Sequence, residues 1–262
     1  MIFGKTNGSG NKKIIFIHGN SQSHQTWDDV ITYEGLKDYI SITIDLPGHG
    51  LSVRSIRPAE SYSLKGLGKA LREFLDLHKN DDYILIGASL GCNVIAEACP
   101  LPSNCRGAFL LGPQIIGAQL TLADIIKPNP NIGAVFTNTP ANGELHAYLG
   151  DMVVKLSPEL KERCKNTFLQ TDITFREFFS ESVSRQDWSD EIELLRKSKI
   201  PIAVVYGQLE KFVFSEYLNK TDLKKWRDEI IVVPEAGHFA HLDQPDWVAD
   251  LIKEFAVSCL DG

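Results

Sequence analysis

Little in this chain of 262 residues points toward a membrane, a polyanion or a metal. No apolar run approaches the length of a bilayer-spanning helix. The start, Met1-Ile2-Phe3-Gly4-Lys5-Thr6-Asn7-Gly8, lacks the charged segment and apolar core of a secretory leader. Basic residues are outnumbered, 27 Lys+Arg against 34 Asp+Glu for a net charge of -7, and they form no cluster. Neither nucleic acid nor an anionic membrane surface is therefore an expected partner. The five cysteines, Cys92, Cys99, Cys105, Cys164 and Cys259, are odd in number and show no zinc spacing. They read as small buried side chains of a reducing compartment. No His, Asp or Glu cluster has metal-ligand spacing, and no G-x-G-x-x-G run follows a strand. Neither a metallohydrolase nor a nucleotide-binding dehydrogenase is expected. No cofactor is expected, and the chain reads as a soluble cytoplasmic protein.

What is present is ordinary globular material, 43% hydrophobic and 23% charged, enough for one α/β domain with an insertion. Strands are predicted at Ile2–Thr6, Lys13–His18, Tyr39–Asp45, Ile84–Ile86 and Arg106–Gly112. Loop and a short helix fill Thr26–Leu36, and Arg54–Tyr62 reads as polar loop. Ser63 caps a helix whose Leu64, Leu67, Leu71, Phe74 and Leu75 share one face. Strands alternating with amphipathic helices predict a mostly parallel central sheet flanked by helices. Between Pro113 and Lys199 the pattern becomes helical, with segments at Leu120–Ile126, Gly143–Lys155, Pro158–Leu169, Thr174–Ser184 and Trp188–Lys197. Residues 1–113 and 200–262 are thus expected to form the core, and 114–199 a helical cap. Beyond it come a strand at Ile200–Tyr206, a helix near Ser215–Lys220, a strand at Glu229–Val233 and a helix at Gln244–Val257.

The most informative stretch is Tyr83–Ala98, where an apolar strand runs into Gly87-Ala88-Ser89-Leu90-Gly91 and then a helix. Strand, G-x-S-x-G, helix is the setting of a nucleophile elbow. A serine at the tip of so sharp a turn has strained backbone angles, and Gly87 and Gly91 remove flanking clashes. The helix that follows aims free N–H groups at negative charge developing beside Ser89. A glycine-bearing strand-to-helix turn with no chemistry is the ordinary alternative.

Further pieces stand in order along the chain: His18-Gly19-Asn20, Asp45-Leu46-Pro47-Gly48-His49-Gly50-Leu51-Ser52, Gly207-Gln208-Leu209-Glu210, and Ala236-Gly237-His238-Phe239-Ala240-His241-Leu242-Asp243-Gln244-Pro245. With the elbow, they make the chain resemble the α/β-hydrolases, over the sheet domain on both sides of the insertion. The short start implies that the first strand of that family's sheet is missing. The resemblance makes Ser89 the nucleophile, His238 the base and Glu210 the acid, in the family's chain order. Glutamate departs from the family's commoner aspartate and adds one methylene of reach. His241 is the rival base, expected to pack or hydrogen-bond, and Asp222 and Asp243 are rival acids. After the strand ending at Gly112, the family's other acid position holds only Pro113-Gln114. The oxyanion donors implied are the backbone N–H groups of Asn20 and Leu90. His18, His49 and Asp45 become loop braces, while His24, His78 and His146 are assigned to the surface or cap.

A serine nucleophile implies an acyl-enzyme and favours a small-molecule ester or lactone substrate. Cap aromatics Phe136, Tyr148, Phe168, Phe175, Phe178, Phe179 and Trp188 supply apolar surface, and Trp27 is a further candidate for the substrate pocket. Within the family, the His18-Gly19-Asn20-Ser21 loop and a glutamate acid resemble N-acyl-homoserine lactonases. The cap tyrosine of those enzymes, which donates to substrate, would correspond to Tyr148. Carbon–carbon bond hydrolysis of a diketone-like substrate and non-catalytic ligand binding are the competing readings.

Overall fold

The computed structural model describes residues 1–140 and 143–261; residues 141, 142 and 262, which fall in the expected cap and core ranges, lie outside the described residues. Seven strands form one sheet: β1 (Phe3–Asn7), β2 (Lys13–Ile17), β3 (Ile40–Asp45), β4 (Tyr83–Ala88), β5 (Cys105–Leu111), β6 (Ile202–Gly207) and β7 (Ile230–Val233). Their spatial order is β1-β3-β2-β4-β5-β6-β7. Among the described strands of this sheet only β1 is antiparallel, pairing Phe3 with Asp45 at one end and Asn7 with Ser41 at the other. The remaining pairs are parallel.

Beyond Lys13 and Arg106 near their starts, the central strands β2, β4, β5 and β6 are apolar and buried because both sheet faces are covered. Ile15, Ile17 and Leu85 project into one core, while Ile14, Phe16, Ile84 and Ile86 project into the other, following the strand alternation. On the first face lie α1 (Leu64–Leu75) and α2 (Leu90–Glu97), packed on each other. The Ser63 hydroxyl accepts the Gly66 N–H at 3.0 Å to start α1, and Leu64, Leu67, Leu71 and Leu75 are its buried stripe.

Between β5 and β6 the described residues hold helices and turns. The longer ones are α3 (Glu144–Met152), α4 (Pro158–Gln170), α5 (Phe175–Ser184) and α6 (Glu191–Ser198). The second face is covered by α7 (Pro245–Leu260), whose Val248, Ile252 and Phe255 are fully buried. The loop expected at Arg54–Tyr62 contains one helical turn, Pro58–Ser61, because Pro58 is preset for a first helical position.

This topology decides where a site can form. From β2 the chain steps to β3 on one side, then crosses back to β4 on the other. Parallel sheets leave a crevice at such a switch, beyond the carboxyl ends of the two strands. The loops leaving β2 and β4 carry Asn20 and Ser89.

Candidate active site

Ser89 sits between β4 and α2 with φ 50° and ψ -117°, outside the relaxed regions for a residue with a Cβ. Its N–H donates to the Leu111 carbonyl at 2.9 Å, and its carbonyl accepts the Cys92 N–H at 2.8 Å, so both flanks hold the strain. The flanking glycines are required sterically. A Cβ on Gly87 would lie 2.8 Å from the Gly91 backbone, and one on Gly91 would lie 2.5 Å from the Ile17 carbonyl.

His238, in the loop after β7, meets Ser89 from the far side of the sheet order. The Ser89 hydroxyl lies 2.9 Å from His238 Nε2, and His238 Nδ1–H donates to Glu210 Oε2 at 2.7 Å. The carboxylate thereby selects the tautomer that leaves Nε2 free to accept a proton. Glu210 follows β6 through Gly207, where a Cβ would stand 2.0 Å from the Gly237 carbonyl. The missing side chain is what lets the acid loop approach the base loop. Burial pushes the Glu210 carboxyl up, but the His238 charge and hydrogen bond, with the Phe212 N–H at 2.7 Å, hold it below the usual glutamate value.

The rival groups are occupied elsewhere. Asp243 accepts backbone N–H groups of Gly237, Val154 and Lys155, tying the base loop to the segment after α3. Asp222 is exposed. His241 is fully buried, with Nε2 2.9 Å from the Thr26 hydroxyl and its ring stacked on Trp27 at 4.3 Å.

The N–H groups of Asn20 and Leu90 make no hydrogen bond to the described residues, and both residues line the cavity beside Ser89. Braces shape the Asn20 loop. His18 Nδ1–H donates to the Gly19 carbonyl at 2.7 Å and its Nε2 accepts the Leu46 N–H at 3.0 Å. His49 Nε2 accepts the Ser21 N–H at 3.2 Å. Asp45 accepts the N–H groups of His24 and Leu51. His24 was expected at the surface or in the cap. It is instead 7% exposed, with Nδ1 3.0 Å from both Asp45 oxygens, because the buried carboxylate needs a donor there. His78 is half-buried near Lys13, and His146 is exposed on α3.

A cavity of about 310 Å³ opens at Ser89 and His238. Its wall is apolar, with Ile116, Ile126, Ile132, Phe136, Phe179 and Trp188 prominent, and among the described lining residues none is Lys or Arg. Tyr148 is 3% exposed and lines this cavity, and its hydroxyl makes no hydrogen bond to the described residues. Phe168 and Phe175 pack elsewhere, under Arg176 and against His49 and Tyr62. Trp27 corrects the sequence reading: it is fully buried on the opposite sheet face, against Phe16 and His241, and does not line the cavity. A short helical turn at His24–Trp27 seats the indole in that core, so nearness to Asn20 in sequence does not bring it to the cavity. Phe212 was missed. Its N–H holds Glu210 and its ring lies 5.7 Å from that of His238; an apolar residue two places after the acid was the available signal. Among the described residues no three His, Cys, Asp or Glu side chains converge as metal ligands.

The braces carry a pH consequence. Burial holds His18 below and His49 well below the ordinary histidine value, and His241 down to about 3. These groups bind a proton less readily in the fold than in the unfolded chain, so unfolding takes up protons once the pH falls below about 6.5. Each then removes up to about 1.4 kcal/mol of stability per pH unit. Glu191 acts in the opposite sense, since burial raises its carboxyl and it keeps its proton in the fold. His78, lowered by burial as well, adds to the three, and together they outweigh Glu191 and leave a net loss as the pH drops from about 6.5 toward 4.5. Urea midpoints at pH 7, 6 and 5 are expected to fall in that order; a constant midpoint would contradict neutral buried histidines.

Comparison with known proteins places residues 14–251 in a match to the alpha/beta hydrolase family. A 2-(acetamidomethylene)succinate hydrolase of Mesorhizobium japonicum is 24% identical over 258 residues, covering 95% of this chain and 88% of the relative. A 2-succinyl-6-hydroxy-2,4-cyclohexadiene-1-carboxylate synthase of an Enterobacter species is 27% identical over 256 residues, covering 92% and 90%. Among solved structures, the N-acyl homoserine lactonase AidH complexed with N-butanoyl homoserine superposes with a TM-score of 0.89 at 23% identity, covering 100% of this chain and 94% of that one. At that identity the likeness is one of fold.

Proposed function

The chain belongs to the alpha/beta hydrolase family, and on that footing we propose that it is a serine hydrolase cleaving a neutral carboxylic ester or lactone through an acyl-enzyme on Ser89. The observation that carries this reading is the hydrogen-bonded line from Ser89 through His238 to Glu210, at 2.9 and 2.7 Å, at the mouth of an apolar cavity. His238 takes the hydroxyl proton as Oγ attacks the carbonyl, and the Glu210 charge stabilises the imidazolium. The tetrahedral oxygen is received by the N–H groups of Asn20 and Leu90. His238 returns the proton to the leaving alcohol, then activates water to release the acid. The helices between β5 and β6 act as the cap that keeps this step dry.

The cavity wall bears on the substrate. Without Lys or Arg among its described lining residues it offers no fixed cation to pair with a carboxylate, which weighs against dicarboxylates and ring-cleavage dienoates and so against the carbon–carbon hydrolase reading. An N-acyl-homoserine lactone has an apolar acyl chain, an amide and a ring carbonyl, and Tyr148 supplies a free hydroxyl for the polar part. The His18-Gly19-Asn20-Ser21 loop and the glutamate acid support the same class.

The test is a panel of p-nitrophenyl esters of short and long acyl chains beside N-acyl-homoserine lactones, read by proton release. Lactone opening is expected to exceed ester turnover. Tyr148→Phe is expected to lower lactone kcat/KM about 5- to 10-fold, the worth of one neutral hydrogen bond, and to leave the esters nearly unchanged. Efficient ester turnover with inert lactones would leave a general carboxylesterase. Silence on both, with no labelling of Ser89 by a fluorophosphonate, would leave a ligand-binding role.

A further inference from the structure

Arg176, on α5, is a buried cation without an anion. It is 2% exposed, and among the described residues no carboxylate lies within ion-pair distance of it. Its guanidinium stacks 3.6 Å from the centre of the Phe168 ring, Nη2 donates to the Phe168 carbonyl, and Nε donates to the Ser21 hydroxyl at 3.1 Å. Burying an unpaired charge is costly, and burial pulls this guanidinium down to about 10, which still leaves it protonated at neutral pH.

The residue it holds is strained. Gly19 to Gln22 form a turn closed by the Gln22 N–H on the Gly19 carbonyl, with Asn20 and Ser21 in its middle. Ser21 has φ 57°, a left-handed conformation in which a Cβ crowds the following carbonyl and which few residues other than glycine adopt. Three bonds hold it there. Its N–H goes to His49, its hydroxyl accepts from Arg176, and the same hydroxyl donates to Asn20 Oδ1 at 2.8 Å. A continuous line of hydrogen bonds therefore runs from the insertion to the residue whose N–H faces the reacting carbonyl.

We propose that Arg176 is a positioning residue for the oxyanion site: through Ser21 it keeps Asn20 aimed, and its uncompensated positive charge favours the anion that forms there. This rests on the ester or lactone hydrolase reading. The physical case is that oxyanion donors act by being fixed before charge develops, and that an unneutralised charge in a dry interior is felt over a longer range than in water. Such an effect belongs to the transition state and leaves ground-state binding nearly untouched.

Three variants separate the parts. Arg176→Met keeps length and loses both anchor and charge, Arg176→Lys keeps charge without the fork of donors, and Ser21→Ala breaks the line with the charge in place. Each is measured for kcat and KM on the best substrate of the wild type, and for affinity toward a boronic acid that forms a tetrahedral adduct on Ser89. Circular dichroism checks the fold. Arg176→Met is expected to lower kcat about 30- to 100-fold with KM within about threefold, and to weaken the boronate by a matching factor. Ser21→Ala and Arg176→Lys fall between it and wild type. The double variant Ser21→Ala/Arg176→Met is no worse than Arg176→Met by more than about twofold, since both act on one line. A raised KM with unchanged kcat and boronate affinity would reduce Arg176 to a strut of the insertion and overturn the proposal. Should Arg176→Met fail to fold, wild-type kcat in both other variants would overturn it equally. Absence of Ser89-dependent turnover in the wild type would overturn the hydrolase reading itself, visibly and before any Arg176 variant is compared.

Discussion

Ser89→Ala is expected to lower kcat by about 10⁴-fold or more on whichever ester or lactone the wild type cleaves best. The size follows from the geometry, because Ser89 is the one hydroxyl placed 2.9 Å from His238 Nε2. With Oγ gone, the remaining route is water attack assisted by His238 and the two oxyanion N–H groups. That route retains some rate above solution but forms no acyl-enzyme. Stability should change little. Among the described residues the hydroxyl's one partner is His238, and the strained backbone is as available to alanine as to serine. Proton-release assays beside thermal melts check both halves. Turnover retained with an unchanged melt would place the nucleophile elsewhere and sink the acyl-enzyme mechanism.

Glu210→Gln should be nearly as damaging, about 10³- to 10⁴-fold in kcat at neutral pH, through a tautomer and not through shape. The Phe212 N–H donates to Glu210 Oε1, so a glutamine in this place turns its carbonyl oxygen toward Phe212 and its NH₂ toward His238. Nδ1 must then accept, the ring proton moves to Nε2, and His238 faces Ser89 with a donor where an acceptor is needed. Glu210→Asp keeps the charge but draws it back by a methylene. A misplacement of that order costs roughly 10- to 100-fold. The ranking wild type, Asp, Gln is the expected result. A Gln variant as active as the Asp variant would mean that the carboxylate serves packing, and would return the acid's role to another residue.

The two effects differ in how far apart their causes lie in the chain. Ser89 is a local matter. A β-strand, a turn too tight for side chains at Gly87 and Gly91, and a helix are all contained in sixteen residues, and short-range sterics make them legible. The loops that carry Asn20, Glu210 and His238 are legible in another way, through the order of their motifs along the chain, which resembles that of a known family. Their fixed order after apolar runs points to one sheet and one family, to which residues 14–251 do match. Phe212 shows the limit of that legibility. It adjoins a motif, yet its contact with His238 depends on where the loop turns.

By itself, then, the sequence determined the mostly parallel sheet, because backbone turns and strand burial are written in neighbouring residues, while the helical insertion and the site residues stood as expectations, the latter carried by the family resemblance. Only the tertiary structure decided which aromatic side chains face the cavity, and it sent Trp27 and His24 inward, away from the roles their positions implied. It supplied the contact between Ser89 and His238, 149 residues apart, that the motifs only implied, and it alone joined Ser21 to Arg176 across 155. The physical reason is that side-chain direction at such contacts is set by packing between elements remote in the chain, where no local periodicity reports which partner arrives.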